Sequence, residues 1–98
     1  AWQAAARAAL AEASQRLADL LAPLGEADAV TRTPLFCTLH VEGVDAPETL
    51  AALDTHFARR AILVRRFDEH GLLRFGLPPD AAGWARLSAG VAAWLEGA

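Results

Sequence analysis

The sequence predicts an α+β domain with element order α-β-α-β-β-α, and three observations predict it. Both ends of the chain carry apolar residues at helical spacing. Two runs in the second half, Ala61–Phe67 and Leu72–Leu77, are strand-like and separated by a short glycine turn. A third strand-like run, 33–42, lies upstream of a helix-start signal at Asp45. At 98 residues the chain is a single domain, 1–98, able to bury a modest core. With 54% hydrophobic and 21% charged residues, it falls outside the disordered and low-complexity classes.

Residues 2–22 read as one long helix. Leu10, Leu17, Leu20 or Leu21, and Leu24 recur at steps of three, four or seven, and Pro23 and Gly25 stop the run. In the strand at 33–42, Leu35, Cys37, Leu39 and Val41 share one face, and Phe36, Thr38, His40 and Glu42 the other. Asp45-Ala46-Pro47-Glu48 opens a second helix with a capping side chain, a proline in the first turn and an acid near the positive helix end. Leu50, Leu53 and Phe57 mark its buried stripe. In the turn Asp68-Glu69-His70-Gly71, the glycine is expected at positive φ. Pro78-Pro79-Asp80 closes the last strand and caps a third helix, with Trp84, Leu87, Val91 and Trp94 or Leu95 facing inward. Gly83 and Gly90 each weaken that helix by about 1 kcal/mol relative to Ala, which points to close approach by a neighbour.

These elements predict a three-stranded mixed sheet. Its first and second strands are parallel through a right-handed crossover, and the third slips between them in the order 1-3-2. This split βαβ would carry its helices on one face and leave the other bare. Placing Leu73, Phe75 and Leu77 against the helices sends Arg74 to the bare face. Arg65 joins it if Ile62 and Val64 point inward. A guanidinium is a rigid fork matched to carboxylate or phosphate, and Gly76 beside it lets a ligand come close. The competing reading of Arg74 is a solvated surface side chain or a cross-strand ion pair with Glu42.

Composition narrows the function classes. Nine Arg, no Lys and 12 acids give a net charge of -3, against a nucleic-acid-binding face. No apolar run reaches a membrane span, so neither nucleic acid nor membrane is an expected partner. The lone Cys37 excludes an intrachain disulfide and a cysteine-only zinc site, and on its apolar strand face it reads as a small buried hydrophobe. His40, His56 and His70 have no metal-ligand spacing and read as isolated surface or interface residues, so no metal is expected. Trp2, Trp84 and Trp94 read as packing residues. There is no glycine-rich phosphate loop, no nucleophile elbow and no acid paired with a base, so no catalytic residue is assigned. Without lysine, the chain cannot form a lysine Schiff base. The sequence opens at Ala1 in helix-forming residues with no Met or cleavage pattern, so the expectation is a processed or excised piece of a longer protein and no signal peptide.

The run Ala61-Ile62-Leu63-Val64-Arg65-Arg66-Phe67, a short turn, then Leu72-Leu73-Arg74-Phe75-Gly76-Leu77-Pro78 resembles the end of fold-type I pyridoxal-phosphate enzymes. The similarity is to the group containing histidinol-phosphate aminotransferase and threonine-phosphate decarboxylase, the latter an enzyme of cobalamin synthesis. The long first helix with Trp2, Arg7, Leu17 and Leu20-Leu21, then Leu24-Gly25 and Thr33-Pro34-Leu35-Phe36, looks more like the decarboxylase branch.

That resemblance implies a C-terminal small domain that closes over a cofactor held by a larger, missing domain. It also implies that Arg74 binds the substrate α-carboxylate and Arg65 its phosphate. The substrate would be a phosphorylated amino acid, the compartment cytoplasmic, and the product aminopropanol phosphate. Pyridoxal phosphate would belong to the parent enzyme, with none bound by this chain alone, which is expected to be inactive. A fragment of this kind should expose an apolar patch bordering the bare sheet face, Phe36 and the first helix, through which it could form a homodimer. The aminotransferase is the alternative. A reading of a different class is a stand-alone ligand-binding or dimerisation module.

Overall fold

The computed structural model describes residues 2–97, with side chains from Ala4 onward, so the packing expected of Trp2 lies outside the described residues. Helix α1 spans Trp2–Leu21 and ends in a short 3-10 turn, Ala22–Leu24, around Pro23. Strands β1 (Val30–Arg32) and β2 (Phe36–His40) follow, then α2 (Ala46–Ala58), β3 (Val64–Phe67), β4 (Leu72–Gly76) and α3 (Ala81–Leu95).

The three-stranded mixed sheet expected from the sequence is not what forms. The sheet has four strands in the order β1-β2-β4-β3, and every neighbouring pair is antiparallel. The added strand, Val30-Thr31-Arg32, is three residues long with two of them exposed, too short to display an alternation. It is created by pairing rather than by propensity. Thr33 and Phe36 close the hairpin through backbone N–H of Thr33 to the Phe36 carbonyl at 2.8 Å, and through contacts of the Thr33 hydroxyl with Phe36 N and O at 3.3 and 3.2 Å. These bonds also shorten the strand expected at 33–42 to Phe36–His40.

One cluster holds the layers together. Leu17 and Leu21 of α1, Leu50, Leu53 and Phe57 of α2, and Leu87 and Val91 of α3 pack on Cys37, Leu39, Leu73 and Phe75 of the two central strands. Phe57 meets Phe75 edge-on with ring centroids 5.3 Å apart. Truncating a buried leucine of such a cluster typically costs about 2–5 kcal/mol. Among the described side chains of α1, Leu10 is exposed and full burial begins at Ser14. The Ser14 hydroxyl donates to the Thr33 carbonyl at 2.8 Å and so ties α1 to the β1–β2 hairpin.

Helix α3 is capped by Asp80, whose carboxylate accepts from the Gly83 N–H at 2.8 Å. Asp45, expected to cap α2 in the same way, makes no side-chain cap bond; its backbone carbonyl takes the Thr49 N–H instead. Gly90 stands where α3 crosses α2, and a Cβ there would lie 3.1 Å from Ile62 Cδ1. Gly71 takes φ +64 in the β3–β4 turn.

Candidate functional site

The strand registers sort the side chains unambiguously. Cys37, Leu39, Leu73 and Phe75 point to the helices, so their neighbours point away. On that open face Thr31, Thr38, Arg74 and Arg65 stand in one row across all four strands, each directly opposite the next. Phe36 and Gly76 pair on one side of the row, and His40, Leu72 and Phe67 form a second row on the other. Directly opposed residues have Cβ atoms about 4.5–5.5 Å apart, so the two guanidinium groups share one small area.

Register also separates the adjacent arginines, which sequence alone left ambiguous. Arg66 lies opposite Leu73 on the helix side, where its guanidinium meets Asp54 at 3.6 Å and Asp68 at 3.1 Å. Arg65 lies opposite Arg74 on the open side and makes no ion pair among the described residues.

Arg74 is half-buried, and aromatic rings rather than acids surround it. Its Cζ sits 4.3 Å from the centroid of Phe36 and 4.9 Å from that of Phe67. Arg65 reaches the same Phe67 ring at 5.5 Å. Arg74 Nε is sealed from solvent and has no hydrogen-bond partner. The alternative pairing with Glu42 does not form: Arg74 faces Thr38, and Glu42 is exposed beyond the end of β2. Two cations without a carboxylate partner make this part of the surface attractive to anions.

The surroundings leave room for one. Leu35, Phe36, Leu63, Val64 and Gly76 enclose a shallow concavity with Arg65 and Arg74 at its floor. A Cβ built on Gly76 would meet nothing within 4 Å, so that side is open. Leu35 and Leu63 form the rim at 62% and 93% exposure, an apolar lip beside a charged floor. Leu10 and Pro34, with Arg7, line a second groove against the start of α1.

Among the described residues, no nucleophile or base accompanies the arginines. His40 shares the open face, and its Nε2 lies 3.2 Å from the Thr31 hydroxyl. Cys37 is fully buried on the other side, and burial pushes its thiol above its ordinary value of 9.0, outweighing a hydrogen bond to Ser14 and the Arg32 charge. Among the described residues no group of three or more His, Cys, Asp or Glu side chains is placed to hold a metal ion. Among the described residues no helix is long and apolar enough to cross a membrane. The residues present also do not fit pyridoxal phosphate itself, because the chain has no lysine to bind it covalently. What the arrangement offers is recognition of anionic groups.

Sequence reasoning misplaced one histidine. His56, expected at a surface or interface, is buried between α2 and α3. Its Nε2–H donates to the Gly90 carbonyl at 2.7 Å, and Nδ1 accepts from Arg60 at 3.1 Å. The spacing Leu53-His56-Phe57 places it on the α2 stripe, a signal that was there to be read. The two phenylalanines flanking Arg74 were also missed as its partners, since they lie on different strands and only the register brings them together.

Comparison with known proteins gives a match over part of the chain. Over 46 residues the chain is 50% identical to threonine-phosphate decarboxylase from Pseudomonas aeruginosa. The matched stretch takes in 47% of this chain and 14% of the relative, so the likeness spans a small part of that protein's length. No family model matches the chain, and no solved structure matches it. The segment-level identity relates the chain to threonine-phosphate decarboxylase.

Proposed function

We propose that the chain is the C-terminal, substrate-closing domain of a pyridoxal-phosphate-dependent decarboxylase acting on L-threonine O-3-phosphate. Arg74 would hold the substrate carboxylate and Arg65 its phosphate. The observation that carries this reading is the state of Arg74: half-buried on the open sheet face, flanked by rings and without an acidic partner among the described residues. A half-desolvated cation without a counter-ion is costly to keep and is accounted for if an anion arrives from outside. The decarboxylase likeness supports reading that anion as the carboxylate of an amino-acid substrate.

In this reading the cofactor, held by another domain, supplies the electron sink. This chain's residues bind and orient. Arg74 fixes the carboxylate and so sets the direction of the bond between it and Cα. Arg65, one strand away, fixes the phosphate end. Two anchors on neighbouring strands hold the substrate against rotation, the kind of positioning that contributes strongly to rate. The exposed Leu35 and Leu63 at the rim are where the larger domain would close, excluding water from the pair.

Arg74→Gln in the full-length protein tests this. Removing one partner of a buried charge pair costs about 2–5 kcal/mol, so kcat/KM for threonine phosphate should fall by about 30- to 4000-fold. Turnover at an unchanged kcat/KM would rule the assignment out.

A further inference from the structure

We propose that Phe36 and Phe67 are positioning residues that clamp the Arg74 guanidinium and turn its two Nη ends toward the incoming carboxylate. Phe67 also serves Arg65. This inference deepens the proposed function and rests on it for the identity of the anion, but the clamp itself is a property of this chain.

Three observations carry it. The rings come from the strands on either side of β4, Phe36 from β2 and Phe67 from β3, so Arg74 is flanked from both neighbours. Nε is closed off and has no partner, which leaves the fork's far end as the part that can meet a ligand. A carboxylate then approaches end-on to Nη1 and Nη2 rather than side-on through Nε, and only one bidentate geometry remains. Finally, Phe67 lies within 5.5 Å of Arg65 as well, whereas Phe36 contacts Arg74 alone in this way. The two rings therefore have separable duties. Phe36 positions the carboxylate anchor, and Phe67 positions both anchors. A long side chain free to rotate would lose rotamer entropy on each binding event; the clamp has already restricted it.

The first test needs only the 98-residue chain. The order parameter of the Arg74 Nε–Hε bond, from 15N relaxation, should approach the roughly 0.85 of rigid backbone and drop below about 0.6 in Phe36→Leu and Phe67→Leu. Leucine keeps apolar bulk and removes the ring, and Phe36→Tyr should restore the rigid value. A mobile Arg74 in the native chain, or a native-like rigid value retained in both leucine variants, overturns the clamp.

The second test uses the full-length enzyme. Phe36→Leu should raise KM for threonine phosphate about tenfold, the loss of a desolvated cation–π contact, with kcat much less affected. Inhibition by aminopropanol phosphate, which has no carboxylate, should be unchanged in Phe36→Leu and weakened in Phe67→Leu. Equal weakening in both variants, or an unmoved KM, overturns the division of duties. A native enzyme that fails to turn over threonine phosphate sinks the functional reading alone, and the relaxation measurement still decides the clamp.

Discussion

Arg65 and Arg74 face each other directly across β3 and β4, both on the open side of the sheet, and no acid pairs with either among the described residues. Like charges opposed across strands are destabilising by a few tenths to about 1 kcal/mol, so the fold carries this pair at a cost. Arg65→Thr should therefore stabilise the chain by about 0.5 kcal/mol, since threonine also suits an exposed strand. Urea unfolding of both proteins at low and at 1 M salt checks this. The gain should shrink at high salt, where the repulsion is screened over roughly 3 Å. A destabilised variant would mean that the contact of Arg65 with the Phe67 ring outweighs the repulsion.

Gly76 offers a way to separate folding from binding. A Cβ at this position would meet no atom within 4 Å, and the residue sits beside Arg74 opposite Phe36. Glycine in a strand is a weak choice, so Gly76→Val should leave the unfolding midpoint unchanged or raise it. The added side chain projects into the concavity beside the guanidinium, however, and the KM of the full-length protein for threonine phosphate should rise by roughly tenfold or more. A drop in stability without any effect on KM would show that the concavity is not where substrate sits.

The inward and outward faces of the sheet were legible because strand alternation is strict. Leu73-Arg74-Phe75 admits only one facing once the apolar pair is buried, and the helical stripes at Leu50, Leu53, Phe57, Leu87 and Val91 are regular. The strand count was not legible, because Val30-Thr31-Arg32 has no hydrophobic alternation and exists only as the partner of β2. Arg65 and Arg66 could not be told apart for a similar reason. Adjacent residues in a strand are told apart by register, which the pairing of Val64 with Phe75 sets. The aromatic surroundings of Arg74 depend on three strands at once, and nothing local in the sequence records them.

Cys37 links the core to pH. Its thiol is fully buried and raised above the ordinary value of 9.0, with desolvation the leading cause. A group whose native pKa is raised contributes stability fully below the unfolded value and loses it as pH rises through the native one. The stability of the chain should be insensitive to this residue up to about pH 8 and fall above pH 9, and Cys37→Ala should flatten that alkaline decline while costing stability at neutral pH through the small cavity it leaves. Urea midpoints at pH 7.5 and 10 for the two proteins check both signs. The same burial predicts that the native thiol resists a disulfide reagent at pH 8 and reacts only on unfolding.

Ala61 is held at φ +57 in the turn between α2 and β3, a left-handed conformation uncommon for a residue with a Cβ. The turn is fixed from both sides: Ala61 N–H donates to the Ala58 carbonyl at 3.1 Å, and Ile62 N–H to the Phe57 carbonyl at 3.0 Å. Ile62 then packs into the cluster under Gly90, so the chain cannot relax Ala61 without moving Ile62. The left-handed region costs a non-glycine residue about 1–2 kcal/mol, while the greater freedom of glycine in the unfolded chain returns roughly 0.4–1 kcal/mol in the other direction. The first effect wins. Ala61→Gly should stabilise the domain by about 0.5–1 kcal/mol, equivalent to a rise of several degrees in Tm for a domain of this size. Because the Ala61 side chain is exposed, no packing is lost. A fall in Tm would show that the turn does not hold this conformation in solution.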